Sequence, residues 1–286
     1  MYYLRAEKPA DREPKMAKTP QKQAADATPE SGDSKPLRNV DRMGGFAKGL
    51  SVIEAFRQGR GASTIAEIAR YSGLDRASAR RCLLTLVECG YAKQDGSYFE
   101  LTPRILRLGN SFMSMSLPRL IRPYLDQLAD EVRESCSAAI LDRTDVVYIL
   151  RAVHHGVMGA GLHPGSRLPA FCTGLGRVLL ASYPAERALR ILKESNRTAL
   201  TKYTITDIDK LMAELEKIQK NGYAIIDREI EIGSRSIAVP IYNINGEAVA
   251  ACTVGVHSST ATMKQLRDNY LPHLYNFQAQ LAEILP

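Results

Sequence analysis

Two short helical segments, each opening on its own capping residue, flank the tripeptide Ser72-Gly73-Leu74, and this constrains the fold more than any other feature. Thr64 precedes the apolar positions Ile65, Ile68 and Ala69, and Glu67 follows it by three, the spacing of a capping box. That helix is expected to end near Tyr71. Beyond the turn, Asp75 is placed to cap a helix running to about Cys89, with Ala79, Cys82, Leu83, Leu86 and Val87 on its apolar stripe. Gly90 is suited to stop it. An earlier helix is expected to present Phe46, Leu50, Ile53 and Phe56 on one face. Two helices around a short glycine turn make a helix-turn-helix. Tyr91–Gln94 and Ser97–Leu101 then flank Asp95-Gly96, a strong hairpin signal. Three helices followed by a hairpin predict a winged helix-turn-helix.

In that motif the second helix of the pair enters the major groove, and its first residues reach base edges. With Ala79, Cys82 and Leu83 turned inward, Arg76, Ala77, Ser78, Arg80 and Arg81 are left for double-stranded DNA. Arginine pairs bidentately with guanine but also anchors phosphates. Arg80 is expected nearer bases and Arg81 nearer phosphate, with Lys93 and Ser97 contacting phosphates from the wing. The competing reading is a solvated helix face. Charge favours DNA: residues 41–117 carry 11 Lys/Arg against 7 Asp/Glu, whereas residues 118–286 carry 19 against 18. Local positive charge attracts the phosphate backbone.

Residues 1–40 lack hydrophobic periodicity and read as a disordered tail. The winged helix-turn-helix is assigned to 41–101, a linker helix to 102–118, and a second domain to 119–286. The linker starts at Thr102-Pro103, is apolar at Ile105, Leu106, Leu108, Phe112, Met113 and Met115, and is expected to end at Pro118. So much exposed apolar surface implies a packing partner. In the second domain a helix through Leu125, Leu128 and Val132 precedes a hairpin of Ser137–Leu141 and Val146–Val153. Helices are expected at Gly174–Ser182, Pro184–Glu194 and Thr206–Asn221, strands at Ile237–Tyr242 and Ala248–Val256, and a final helix at Thr262–Leu285. The fold class is α+β, an antiparallel sheet flanked by helices.

Thr173-Gly174-Leu175-Gly176 opens one of these helices. Backbone N–H groups at a helix start bind carboxylates, and glycines let a ligand come close. This favours a small carboxylic acid as effector. Plain helix–sheet packing is the alternative explanation for the glycines.

No apolar run approaches the roughly 20 residues of a membrane span, and the N-terminus lacks the apolar middle of a secretory signal. Five cysteines, scattered and without a CxxC pair, point to neither a disulfide framework nor a zinc site. A cytoplasmic setting without membrane contact is expected. His154-His155, His163 and Cys172 lie in one stretch, but no nucleophile elbow, P-loop, HExxH or dinucleotide fingerprint accompanies them. Neither catalysis nor a cofactor is expected. A metal-responsive regulator and an architectural DNA-binding protein are the remaining alternatives.

Several stretches in order resemble the IclR family of bacterial regulators. They are Thr64–Ala69, Ser72-Gly73-Leu74, Arg81–Leu86 and Glu88–Tyr91, then Gly165–Pro169, Thr173–Ala181 and Gly233–Ala238. The likeness covers residues 44–285. Gly165–Ala181, with Arg177 where the family more commonly has Lys, is most similar to the subgroup governing protocatechuate, p-hydroxybenzoate and β-ketoadipate catabolism. The resemblance implies a GAF-like effector domain, dimers formed through the DNA domain and linker helix, tetramers through effector domains, and control of an aromatic-acid operon, with RNA polymerase as a candidate partner. Regulation of another carbon source, such as glyoxylate or a sugar acid, is the alternative within the family. The resemblance places Gly174, Leu175, Asp227, Ser236, Thr253 and Gly255 around the effector cavity, with Met158 or Arg151 at its wall. Asp75 at the start of the recognition helix, Ser236 where the family often has Cys, and Gly255 where it often has a hydroxyl are departures from the pattern.

Overall fold

The computed structural model describes residues 43–58, 61–113, 116–153 and 161–286. The expected tail, Met115, His154-His155 and Met158 lie outside the described residues. The chain divides into two compact units between Leu101 and Thr102.

The first unit contains α1 (Gly44–Ala55), β1 (Ser63–Thr64), α2 (Ile65–Ser72), α3 (Arg76–Glu88), β2 (Ala92–Asp95) and β3 (Tyr98–Leu101). The Thr64 hydroxyl accepts from the Glu67 N–H, and the Glu67 carboxylate accepts from the Thr64 N–H at 2.8 Å, closing the capping box. Gly73 ends α2 at φ 69°, a left-handed conformation that costs glycine little. Asp75 caps α3 by accepting from the Ser78 N–H at 2.8 Å. The strands form an antiparallel sheet in the order β1-β3-β2. β1 is too short for periodicity to reveal.

The core of this unit holds Val52, Ala55, Phe56, Ile68, Ala69, Ala79, Leu83, Leu86, Ala92 and Phe99. Of the face expected to carry Phe46, Leu50, Ile53 and Phe56, Ile53 and Phe56 pack on this core, whereas Phe46 is 65% exposed and Leu50 44% exposed. Helix α1 meets α2 and α3 through its second half, Val52, Ile53 and Ala55, followed by Phe56 in the next turn, while Phe46 and Leu50 nearer its start stay outside. On α3, Ala79, Leu83 and Leu86 are buried as expected, and Cys82 and Val87 are half-buried and packed against the same core.

The second unit opens with a 3-10 turn (Pro103–Ile105) and α4 (Leu106–Met113), on which Leu106, Leu108 and Phe112 are exposed. Pro118 does not end a helix. It lies in the first turn of α5 (Ser116–Val132), where the missing proline N–H breaks no intrahelical bond. Then follow β4 (Ser135–Asp142), β5 (Asp145–Ala152), β6 (Arg167–Pro169), α6 (Gly174–Ala181), α7 (Ala185–Glu194), α8 (Ile208–Asn221), β7 (Ala224–Asp227), β8 (Ser234–Tyr242) and β9 (Ala248–His257). The C-terminal helix is interrupted: α9 (Met263–Gln265) passes through a π turn at Leu266–Tyr270 into α10 (Leu271–Ala282). Pro272, which cannot donate to the preceding turn, lies just after the π turn.

Six antiparallel strands run in the order β6-β5-β4-β9-β8-β7. Both faces are covered, so the central strands are apolar at consecutive positions. Ala138, Ile237, Cys252 and Val254 pack with Ile121, Leu125 and Leu128 of α5 and with Leu274, Phe277 and Leu281 of α10. Their neighbours Ala139, Ala238 and Ala251 pack on the other face with Leu175, Val178 and Leu179 of α6 and with Leu211 and Leu215 of α8.

Candidate functional site

Each unit carries one candidate site. In the first, the tight turn after α2 sets α3 at the surface with Arg76, Ala77, Arg80 and Arg81 exposed. Arg76, Ala77 and Arg80 line a shallow depression with Ser97 of the wing, together with Thr64, Ile65, Ala66, Gln94 and Phe99. The Gln94 side chain is fixed by its bond to the Gly96 carbonyl at 2.9 Å.

Three other expected DNA contacts lie outside the depression. Arg81 is exposed without lining it. Ser78 is half-buried, and its hydroxyl accepts from Lys48 Nζ of α1 at 3.1 Å. Lys93 sits directly opposite Glu100 in the β2–β3 register, and their charges pair at 2.9 Å. That hydrogen bond raises the Lys93 pKa. Asp75, whose side chain receives the Ser78 N–H, serves as a cap. Lys48 was missed because it lies on a different helix, 30 residues from Ser78.

In the second unit, a cavity of about 100 Å³ lies at the N-terminal end of α6. Water needs only about 10–15 Å³ by this measure, so there is room for a small organic molecule. Gly174, Leu175, Ser236, Thr253, Gly255 and Arg151 all line it. Strand parity explains the grouping. Ser135 and Ser137 of β4, Thr253 and Gly255 of β9, and Ser234 and Ser236 of β8 alternate with residues of the α5–α10 core and so face α6. Ser137 lies opposite Thr253, and Gly255 lies between Ser135 and Ser236. Small residues at every second position leave space where large ones would fill the layer.

Hydrogen bonds set the hydroxyls of this floor. Thr253 Oγ1 donates to the Ile237 carbonyl at 2.9 Å. Arg151 Nη1 donates to Ser137 Oγ at 3.1 Å. Tyr148 of β5 also lines the cavity, and burial pushes its phenol up to about 12. Leu162, Leu168 and Ile230 supply apolar wall, and Glu231 contributes a carboxylate. Ser135, Ser137, Tyr148, Thr173, Ile230, Glu231 and Ser234 were all missed. The signal for three of them, Ser135, Ser137 and Ser234, was legible as the alternations Ser135-x-Ser137 and Ser234-x-Ser236.

Asp227 is a correction, because it is absent from the cavity lining. Its carboxylate accepts from Arg228 at 3.0 and 3.1 Å and from Arg235 Nε at 2.8 Å. Burial raises its pKa, but these hydrogen bonds outweigh burial and hold it below the ordinary value. The glycines of α6 also divide. A Cβ on Gly176 would lie 2.2 Å from the Ala170 carbonyl oxygen, so this glycine serves close packing rather than a ligand. Thr173 Oγ1 already takes the Gly176 N–H at 3.0 Å, which leaves the N–H groups of Gly174 and Leu175 at the helix start. Cys172 is buried, which pushes its thiol up to about 12. It stays protonated near neutrality, which disfavours a nucleophile.

The loop of residues 228–233, which brings Ile230 and Glu231 to the cavity, is pinned from beneath. Arg177 of α6 donates to both Glu229 oxygens, at 2.7 and 2.6 Å, and to the Phe171 carbonyl at 2.7 Å. Both side chains are buried. Glu229 also accepts from the Ile205 N–H at 2.9 Å.

Comparison with known proteins adds three findings. The model for the IclR helix-turn-helix domain matches residues 46–96, and the model for the bacterial transcriptional regulator IclR C-terminal region matches residues 110–282. The chain is 38% identical to the Pca regulon regulatory protein of Pseudomonas putida, over 82% of this chain and 81% of that one. It is 33% identical to the p-hydroxybenzoate hydroxylase transcriptional activator of Acinetobacter baylyi, over 88% and 95%. Among solved structures, a putative transcriptional regulator from Rhodococcus sp. RHA1 superposes with TM-score 0.75 at 37% identity, covering 85% of this chain and 98% of that one. An IclR homolog from Microbacterium hydrocarbonoxydans, complexed with 4-hydroxybenzoate, shares the fold with TM-score 0.70 at 24% identity, covering 84% and 98%.

Proposed function

Because the chain belongs to the IclR family of bacterial transcriptional regulators and is related to regulators of aromatic-acid catabolism, we propose that it switches an aromatic-acid operon in response to a small carboxylic acid bound beside α6. One observation carries this reading: a cavity where the Arg151 guanidinium, the start of α6 and a floor of hydroxyls converge between apolar walls. A carboxylate is served by the guanidinium and the helix start. The walls suit the body of the ligand. The relatives' names support aromatic catabolism as the setting.

On the DNA side, α3 enters the major groove with Arg76 and Arg80 foremost and Ser97 on the flanking backbone. Arg81 and Lys93 serve phosphates. The exposed apolar faces of α1 and α4 are where a second copy of the chain packs, giving a dimer that a symmetric operator matches. The protein acts without catalysis, and RNA polymerase is its downstream partner.

A ligand shifts DNA affinity only if it favours one arrangement of the paired DNA domains. Helix α5 is the element suited to report occupancy, because Arg122 Nη1 donates to the carbonyl of the cavity residue Arg151 at 3.4 Å. Calorimetric titration with protocatechuate, p-hydroxybenzoate and β-ketoadipate tests the effector role. Saturable binding of at least one, accompanied by a shift in operator affinity, supports it. Failure of every small carboxylate to bind overturns it.

A further inference from the structure

Apolar side chains stand among the cations at the start of α3. Ala77 and Ala66 are exposed and Ile65 is half-buried, and all three line the depression that Arg76 and Arg80 share. Ala77 follows Arg76 directly and precedes Arg80 by three residues and Arg81 by four, so helical spacing sets it beside long charged neighbours on the exposed face. The polar group next to it is committed elsewhere: Ser78 is half-buried, its hydroxyl accepts from Lys48 Nζ at 3.1 Å, and its N–H donates to Asp75 at 2.8 Å. At this point of the recognition helix the chain therefore offers a methyl group, framed by guanidinium groups.

We infer that Ala77 reads a thymine: the operator carries an A·T pair whose C5-methyl group seats on Ala77, next to the bases or phosphates that the arginines hold. This rests on α3 being the major-groove helix and narrows that reading to one base. In the major groove only thymine presents a methyl group, and small apolar side chains are its match. The alanine side chain has neither donor nor acceptor. A guanine or adenine edge pressed against it loses water from polar groups and gains no partner, which is costly. Cytosine has only a hydrogen where thymine has its methyl. The thymine methyl gives up nothing but apolar contact with water, which favours the complex. Ile65 and Ala66 extend the apolar surface on the α2 side of the same depression.

The test begins with selection of duplexes from a randomised pool by the full chain, followed by competition binding in which each thymine of the selected site is replaced in turn by deoxyuridine. That exchange removes the methyl group and leaves base pairing unchanged. At one thymine the wild type is expected to lose about fourfold in affinity, the effect of returning one methyl-sized group to water. Ala77→Gly, which removes the contacting methyl, and Ala77→Ser, which puts a hydroxyl in its place, are each expected to remove most of that difference. A selected site without thymine, equal binding of every deoxyuridine duplex by the wild type, or an unchanged difference in both variants overturns the role of Ala77 while leaving sequence-specific DNA binding standing. Failure of the full chain to select any sequence overturns both.

Discussion

Arg177 and Glu229 meet as a two-pronged ion pair, with donor–acceptor distances of 2.7 and 2.6 Å, and their side chains are only 2% and 7% exposed. They join α6, which opens at the cavity, to the loop that forms the cavity's lip. Removing one partner strands the other charge away from water, which typically costs about 3–5 kcal/mol. Arg177→Met is therefore expected to lower unfolding free energy by about that much in urea denaturation and to weaken effector binding. The double variant Arg177→Met with Glu229→Leu is expected to recover part of the stability, because no lone charge remains. A double-mutant cycle measures the coupling. Additive losses would show that the two residues act separately.

Arg80 is exposed on the first turns of α3 and lines the depression shared with the wing, whereas Lys93 is already paired with Glu100. Arg80→Ala is expected to cost about 1–3 kcal/mol in operator affinity and to relax base preference. Lys93→Ala is expected to cost less and to weaken all duplexes alike. Fluorescence anisotropy with operator and scrambled duplexes, across a salt series, checks both. Equal affinity of wild type and Arg80→Ala for the operator would remove Arg80 from the interface.

Gly176 packs against backbone, because its absent Cβ would lie 2.2 Å from the carbonyl oxygen and 2.3 Å from the Cα of Ala170. Neither atom belongs to a flexible side chain. Gly176→Ala is expected to destabilise the second unit by about 3 kcal/mol or more, the upper range for overpacking. At Gly174 the nearest atom is the Ala238 Cβ at 3.0 Å, so Gly174→Ala is expected to cost less. Urea denaturation ranks the two variants, and the reverse order would contradict this packing.

Stability of the first unit is expected to fall in acid through its helix caps. The Ser78 backbone N–H, helped by its side chain, holds the Asp75 carboxyl below the ordinary value, and the Thr64 N–H does the same for Glu67. Each group's folded pKa is depressed. Its contribution is therefore present above the unfolded pKa, about 4, and is lost as pH falls through the lower folded value. Thermal melts of wild type and Asp75→Ala are expected to differ most near neutrality, and the difference is expected to shrink progressively as pH falls below about 4. A difference that persists unchanged in acid would mean that Asp75 does not act through its charge.

The helix-turn-helix was legible because each of its devices is local. Thr64 and Glu67, Gly73, Asp75, and Asp95-Gly96 act on backbone within a few residues, so spacing alone identifies them. The antiparallel hairpin before β6 and the strands β8 and β9 followed from apolar runs. β6 and the polar start of β8 gave no such signal, since Arg167–Pro169 and Ser234-Arg235-Ser236 lack an apolar pattern; β7 has the apolar run Ala224-Ile225-Ile226 but is only four residues long. Periodicity put Phe46 and Leu50 on one face of α1 with Ile53 and Phe56, but it could not show that the other helices cover only the second half of α1.

The sequence by itself determined where the helices of the helix-turn-helix begin and end, where that part of the chain turns tightly, and which arginines lie on the exposed side of α3, because capping, turn conformation and helical period depend on neighbours in the chain. Tertiary structure alone decided the cavity. Its floor joins β4, β8 and β9, its lip comes from the loop pinned by Arg177 and Glu229, and it excludes Asp227, which two arginines hold elsewhere. Those partners lie 52 residues apart in one case and more than 100 in others, and only the packing of a six-stranded sheet against α6 brings their side chains together.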